Sequence, residues 1–263
     1  PDFKYSELFA GYYKALHRRN VGVDIVPPGA DLSRYRLVLA PALHVLGQEV
    51  ADNLRRYVEN GGTLLTTARA GVKDEANAVV DMPLPGLLAD MCGVEVDEYE
   101  ALPRDLKVPL ELELPGLAPD AQAAHARLWC DVLTPTTAQV VGCYQAGMGE
   151  PGPYYAGWAA ITLNRLGQGL AMYVGTLGDE ALQDTIVGWL VDATCVSPAL
   201  TTPHDVEAVE RWKNGQRLLF LLNHADQARE VALPQPMRDL LKGNVVNPRA
   251  TLEPKAVMIL RED

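Results

Sequence analysis

Five polar residues follow an apolar segment at close spacing and could bind a ligand, contact a partner chain or simply face water. They are Arg69, Lys73, Asp74, Glu75 and Asn77. The segment before them, TLLTT, predicts a β-strand, and ligands of open α/β sheets usually bind at the carboxyl edge of the strands. A solvated loop is the plainer interpretation, because charged clusters usually face water. The position after the strand favours an interface.

Neither of two common catalytic arrangements is present around this strand. The residues that follow it are Thr67, Ala68, Arg69 and Ala70, so no Ser or Cys occupies a Gly-x-nucleophile-x-Gly turn. A glycosidase needs two carboxyl groups that face each other across about 5 to 10 Å. Asp74 and Glu75 are adjacent in sequence, and adjacent side chains point in different directions on a strand or a helix.

The histidines and cysteines give no metal or redox spacing. The five histidines are scattered, and none has a second histidine or a cysteine three or four residues away, so we predict no metal and no cofactor. The four cysteines form no CxxC pair and are interpreted as buried free thiols. Two alternatives stay open: a disulfide between Cys130 and Cys143, and a nucleophilic pair of Cys92 with His44 or His125.

The four tryptophans could stack on sugars, but each lies in or beside a predicted strand or helix. They are Trp129, Trp158, Trp189 and Trp212. Burial in the core or in an interface is the default interpretation.

Composition limits the possible partners. The 263-residue chain has 48% hydrophobic and 22% charged residues, which is typical of globular proteins. Its net charge of −11, without a run of Lys and Arg, argues against binding to nucleic acid or to anionic membranes. It contains no apolar run of about 20 residues, so we expect a cytoplasmic protein. Because it opens with Pro1 rather than Met, we expect it to be part of a longer protein.

Hydrophobic spacing predicts an α/β domain followed by a small β domain. Helices are predicted at residues 5–19, 47–62, 85–93 and from 179 onward, and strands at 21–29, 36–43, 63–67, 126–133, 138–145, 157–164 and 169–176. Tight links between the first elements indicate a mostly parallel, doubly wound sheet. The stretch from about residue 103 to 120 is interpreted as extended or irregular. After Pro203, short strands and an Asn214-Gly215 hairpin turn predict an antiparallel β sandwich. The predicted domains are 1–202 and 203–263.

Several segments resemble one known family. They are YSELFAGYYKALHRRNVGVDIVPP, DLSRYRLVLAPAL, GGTLLTTARAGVKDEANAV, PLPGLLADMCGVEVDEYEAL and LLFLLNHADQAREVAL, with GVKDE and FLLNH the most specific. Together they are similar to the middle and C-terminal portions of the family 42 glycoside hydrolases, the β-galactosidases. The resemblance extends over nearly the whole chain.

The resemblance implies a role in assembly. In that family a catalytic (β/α)8 barrel carries both catalytic glutamates and is followed by a trimerisation domain that resembles flavodoxin-like class I glutamine amidotransferases, then by a small β domain. Nothing in this sequence corresponds to the barrel, so no residue is assigned a catalytic role. The expected partners are two further copies in a homotrimer and the barrel. Arg69, Lys73, Asp74, Glu75 and Asn77 are then expected to form an interface or substrate-access loop.

Two other function classes stay open from the sequence. One is an amidase or amidotransferase-like enzyme that uses a cysteine, which requires an exposed thiol of lowered pKa beside a histidine. The other is a free-standing carbohydrate-binding module, which requires a row of surface aromatic residues.

Overall fold

The computed structural model describes residues 3–117, 124–146 and 153–262. It divides into two compact units. One comprises the residues up to Tyr12 together with Val26–Cys195, and the other comprises Tyr13–Ile25 together with the residues from Val196 onward.

The helices are amphipathic or capped as the sequence predicts. They are α1 (Tyr5–His17), α2 (Gln48–Glu59), the short α3 (Ala89–Cys92), which follows a 3-10 turn at Gly86–Leu88, and α4 (Glu180–Ala193). Leu54 and Val58 of α2 are buried in the apolar core of the first unit, and a left-handed Gly61 follows the helix. Asp179 caps α4 by accepting a hydrogen bond from the Leu182 N–H. All four predicted helices are therefore confirmed.

The first unit contains a nine-stranded mixed sheet. Its strands are β1 (Leu37–Ala40), β2 (Thr63–Thr67), β3 (Val94–Ala101), β4 (Val108–Leu112), β5 (Ala124–Ala126), β6 (Trp129–Pro135), β7 (Gln139–Tyr144), β8 (Ala159–Leu166) and β9 (Gly169–Val174). The order is β1-β2-β9-β8-β7-β4-β5, with β6 pairing both β3 and β8.

The prediction of a mostly parallel, doubly wound sheet is wrong. Only β1 with β2 and β2 with β9 pair in parallel, and every other pair recorded in this sheet is antiparallel. The reason is that the strands within residues 94–166 pair antiparallel with their neighbours. The last of them, β8, forms the predicted hairpin with β9. Three of these strands, β3, β4 and β5, were not predicted, and residues 118–120 of the stretch interpreted as irregular lie outside the described residues.

The strand predicted at residues 21–29 is also wrong. This segment is irregular and mostly exposed, with Ile25 at 71% exposure. The N–H of Val21 donates to the carbonyl of Leu16 at the end of α1 and so is not available to a sheet. Pro27 and Pro28 have no N–H to offer.

In the second unit the described strands are antiparallel, as predicted. They are β10 (Val206–Lys213), β11 (Gln216–Asn223), β12 (Arg229–Ala232), β13 (Met237–Asp239), β14 (Val245–Val246), β15 (Arg249–Leu252) and β16 (Val257–Arg261). Five of them form one sheet, and β12 with β15 forms a second. The turn between β10 and β11 has positive φ at Asn214 and Gly215, as the hairpin dipeptide predicts.

A buried asparagine joins the two segments of the second unit. The Asn20 side chain donates to the Leu200 carbonyl and to the Thr202 hydroxyl, and it accepts from the Ala208 N–H at 2.9 Å. These three bonds satisfy a polar group that would be costly to bury unpaired.

Candidate functional site

The predicted loop begins at the carboxyl end of β2, the most buried strand of the parallel group. All five β2 residues are buried, and the Ala68 N–H continues the pairing by donating to the Val174 carbonyl. The chain then turns sharply at Arg69, whose φ is 71°, and at Gly71, whose φ is 65°. A Cβ on Gly71 would lie 2.0 Å from the Pro85 carbonyl oxygen, so only glycine fits there.

Lys73 is held through its backbone. Its N–H donates to the His44 carbonyl and its carbonyl accepts from the Leu46 N–H, at 3.0 and 2.9 Å. It thereby forms a parallel bridge with Val45, and an antiparallel bridge with Val79. The loop is therefore anchored to the chain on both sides.

Asp74 and Asn77 close a tight turn. The Asp74 carboxylate accepts from the Ala78 N–H at 2.8 Å, and the Asn77 N–H donates to the Asp74 carbonyl. Asn77 has a left-handed φ of 64°, which asparagine tolerates better than most residues, and its side-chain oxygen accepts from Lys73 Nζ at 2.9 Å. These side chains shape the turn.

The Glu75 carboxyl group lies against Gly47, which precedes the first turn of α2. A Cβ on Gly47 would stand 2.3 Å from Glu75 Cδ. Gly47 itself offers no side-chain cap to the helix. A carboxylate at this position interacts favourably with the positive end of the helix dipole. Glu75 and Asp74 thus have different partners and do not form a facing pair.

Arg69 is engaged away from this turn. Its guanidinium carbon lies 4.5 Å from the Trp129 ring centroid and 5.8 Å from that of Phe3. The ring of Tyr99 stacks on the ring of Trp129, with their centroids 4.6 Å apart and their planes 17° apart. Because Tyr99 is 59% exposed, this row of stacked side chains reaches the surface.

A buried carboxyl group lies beneath the stacked row. Asp131 accepts from the Trp129 indole N–H and from the Tyr173 hydroxyl, each at 2.7 Å. Burial raises the pKa of Asp131 to about 6, although these two hydrogen bonds and the charge of Arg69 act to lower it. Asp131 is 4% exposed, so its carboxyl group cannot act on a ligand in solvent.

Two exposed valines flank the anchored part of the loop. Val45 is 46% exposed and Val79 is 69% exposed, and both pair with Lys73. An apolar surface with a charged rim of this kind is typical of protein interfaces.

The cysteines lack the features of an amidase. Cys92 and Cys130 are buried, and burial raises their pKa to about 12 and about 11. Burial also raises the pKa of the half-buried Cys143, and all four thiols are free. Cys195 is exposed, so the prediction of buried thiols is wrong for this residue, and the Cys130–Cys143 disulfide is absent.

The described residues include no group of three or more His, Cys, Asp and Glu side chains arranged to hold a metal ion. The tryptophans were expected in the core or in an interface; their burial in the core is wrong, and an interface position stays a prediction. Trp158 and Trp212 are 50% and 63% exposed, and Trp129 and Trp189 are partly exposed.

The structure places four of the five predicted site residues, Lys73, Asp74, Glu75 and Asn77, in one turn. The fifth, Arg69, contacts Trp129 instead. Sequence reasoning missed the stacked row of Tyr99, Trp129 and Arg69 and the carboxyl group of Asp131. The alternation in Trp129-Cys-Asp131 on a strand was a signal that both side chains share one face.

Comparison with known families extends over both parts of the chain. The β-galactosidase trimerisation domain model matches residues 1–197, and the β-galactosidase C-terminal domain model matches residues 205–262. The chain belongs to the family of β-galactosidase trimerisation domains. This result confirms the resemblance drawn from the sequence segments.

Relatives and solved structures agree with the family. The chain is 30% identical over 257 residues to a β-galactosidase of Heyndrickxia coagulans, covering 98% of this chain and 37% of that protein. It is 36% identical over 211 residues to a β-galactosidase of Halorubrum lacusprofundi, covering 78% of this chain and 29% of that protein. The crystal structure of a β-galactosidase from Bacillus circulans sp. alkalophilus superimposes with a TM-score of 0.92 at 31% identity, covering 99% of this chain and 38% of that chain. The chain therefore spans between 29% and 38% of the length of these three proteins.

These matches support neither the amidase nor the free-standing carbohydrate-binding module. No helix among the described residues has the length and apolar character needed to cross a membrane.

Proposed function

We propose that this chain is the non-catalytic assembly and C-terminal region of a β-galactosidase-like retaining glycoside hydrolase. The observation that carries the proposal is that two non-catalytic family models, placed end to end, match almost the whole chain. The parent enzyme would hydrolyse terminal β-galactosides, as the names of the relatives suggest, with both catalytic glutamates outside these residues. A cytoplasmic location remains part of the proposal.

Self-association as a homotrimer is the proposed role of the first domain. We assign the interface or substrate-access loop to Arg69, Lys73, Asp74, Glu75 and Asn77. The support is physical. The turn is pre-formed by its own hydrogen bonds, so little conformational entropy is lost when it is buried against a partner. Val45 and Val79 add exposed apolar surface next to it.

We further propose that the first domain is built on an amidotransferase-like core. The parallel strands β1, β2 and β9, with α2 between the first two, support an amidotransferase-like or flavodoxin-like core to which antiparallel strands were added. The proposed domains are 1–202 and 203–263. The family-model matches, which end at residue 197 and resume at residue 205, support this division.

Light scattering behind a sizing column tests the interface with a matched pair of variants. Val79→Asp places a charge on the exposed valine beside the loop, and Val245→Asp places one on an exposed valine of the second unit. We expect Val79→Asp to lower the assembled fraction at least tenfold, because an unpaired charge is costly to bury in an interface, and Val245→Asp to leave it unchanged. Equal effects of both variants on the assembled fraction, or no effect of Val79→Asp, would contradict the placement of the loop in the interface.

A further inference from the structure

The edge of the first unit opposite to the loop contains a polar groove whose lining includes none of the proposed interface residues. Its volume is about 590 Å³, within the range of small-molecule sites. It lies at the amino ends of the parallel strands, where Arg36 precedes β1, Thr63 begins β2 and Gly169 begins β9. At about 3.3 Å per residue, a five-residue β2 separates this edge from the loop by roughly 15 Å.

Three arginines from distant parts of the chain line the groove. Arg36 lies before β1, Arg56 on α2 and Arg165 near the β8–β9 turn. Asp31 is the only acidic residue among the lining residues, and its carboxylate accepts from the Ser33 N–H at 2.9 Å. The lining therefore carries an excess of two positive charges in a chain of net charge −11.

Ordinary structural roles account for only part of this cluster. Arg56 lies in the last turn of α2, where a cation suits the helix dipole. Arg36 donates one N–H to the Cys195 carbonyl just beyond α4. Each guanidinium has five N–H donors, so both keep donors for a ligand. Arg165 lies near the end of β8, and its side chain is exposed.

The remaining walls suit a hydroxylated ligand. The amide side chains of Asn60 and Gln168 line the same groove and are exposed. Gly62 and Gly169 let the starts of β2 and β9 pack closely against α2, because a Cβ on Gly169 would lie 2.1 Å from the Val58 carbonyl oxygen and one on Gly62 would lie 2.3 Å from the Tyr57 ring. Guanidinium groups bind phosphates and carboxylates through paired hydrogen bonds, and amides bind hydroxyl groups.

We propose that this groove, lined by Arg36, Arg56 and Arg165, binds a small hydroxylated molecule that carries two anionic groups. Phosphate and carboxylate share this recognition chemistry. The three arginines bind the two anionic groups, and the amides of Asn60 and Gln168 contact the hydroxyl groups.

Isothermal titration calorimetry on the 263-residue chain tests the proposal. The probes are fructose 1,6-bisphosphate, the dicarboxylate glucarate and neutral fructose, at 50 and 150 mM salt. We expect saturable binding of at least one of the two probes that carry two anionic groups, and no binding of fructose. Binding of only one of these two probes distinguishes phosphate from carboxylate as the bound group.

Matched variants separate this groove from general charge effects. Arg165→Gln is expected to weaken at least tenfold the binding of the doubly anionic probe that binds, because a charge-assisted hydrogen bond to one of its two anionic groups is lost. Arg211→Gln removes an exposed arginine from β10 of the second unit and should leave the affinity unchanged. Arg165→Gln should also leave the mass by light scattering unchanged, which keeps this test independent of the assembly proposal.

Three results would overturn the inference. One is absence of binding for both fructose 1,6-bisphosphate and glucarate. Another is equal weakening by Arg165→Gln and Arg211→Gln, which would indicate an effect of overall charge. The third is binding of an acidic peptide such as hexaglutamate with higher affinity than either of these two probes, which would make the groove a protein-docking site.

Discussion

The guanidinium group of Arg69 lies over the ring of Trp129, with 4.5 Å between its central carbon and the ring centroid. The two residues are 60 positions apart in sequence, and the contact connects the end of β2 to the start of β6. A cation over an indole contributes about 0.5 to 2 kcal/mol, depending on exposure. Because Trp129 also donates to Asp131, the surface stack and the buried carboxyl group form one network.

The stability of the chain should depend on pH through Asp131. Burial raises the pKa of this carboxyl group from 3.8 to about 6 in the folded protein. Its protonated form is therefore favoured in the folded state, and the stability that it contributes is complete below about pH 4 and is lost as the pH rises through 6. The loss is on the order of 3 kcal/mol.

Urea unfolding of the wild type and of Asp131→Asn at pH 4.5 and 7.5 measures this effect. The difference in unfolding free energy between the two proteins should shift by about 2 kcal/mol between these pH values, in favour of Asp131→Asn at the higher pH. Asp90→Asn, which changes a 91% exposed carboxylate, should show no such shift. A constant difference for Asp131→Asn would show that Asp131 is ionised at both pH values.

Gly71→Ala should destabilise the chain by more than about 2 kcal/mol, because the new Cβ would clash with the Pro85 carbonyl oxygen at a left-handed φ. Gly29→Ala is the control, since its Cβ would meet nothing within 4 Å and should change stability by less than about 0.5 kcal/mol. Thermal and urea unfolding both provide the measurement. Similar stability of the two variants would be incompatible with the described turn.

Iodoacetamide should label one thiol of the native chain quickly. Cys195 is exposed, whereas Cys92 and Cys130 are buried and burial raises their pKa. Mass spectrometry after brief labelling at pH 7.5 should find the label on Cys195, and Cys195→Ser should lose most of it. Rapid labelling of Cys92 would contradict the structure and would reopen the amidase alternative.

Local features of the fold could be predicted from the sequence. Helical spacing and the glycines after Glu59 predicted α2, Asp179 predicted the start of α4, and Asn214-Gly215 predicted a hairpin. Each of these signals depends on residues within a few positions of one another, and for such signals sequence reasoning works well.

Pairings between distant segments could not be predicted in the same way. A fully buried strand such as β2 has the same apolar sequence pattern whether its neighbours are parallel or antiparallel. The prediction of parallel pairing, which holds for β1, β2 and β9, was therefore wrongly applied to most of the sheet. The sequence contains no run of basic residues, yet the fold gathers Arg36, Arg56 and Arg165 in one groove. Glu75 was recognised as a candidate site residue, but its position beside Gly47 depends on the path of the loop.

The mass of the 263-residue chain in solution tests the assembly role most directly. One copy has a mass of 28.6 kDa, so a trimer should give about 86 kDa by light scattering, at a concentration of tens of micromolar. The same sample should not hydrolyse p-nitrophenyl-β-galactoside. A monomer near 28.6 kDa would contradict the proposed assembly role of this chain, and hydrolysis of the galactoside would contradict its assignment as a non-catalytic region.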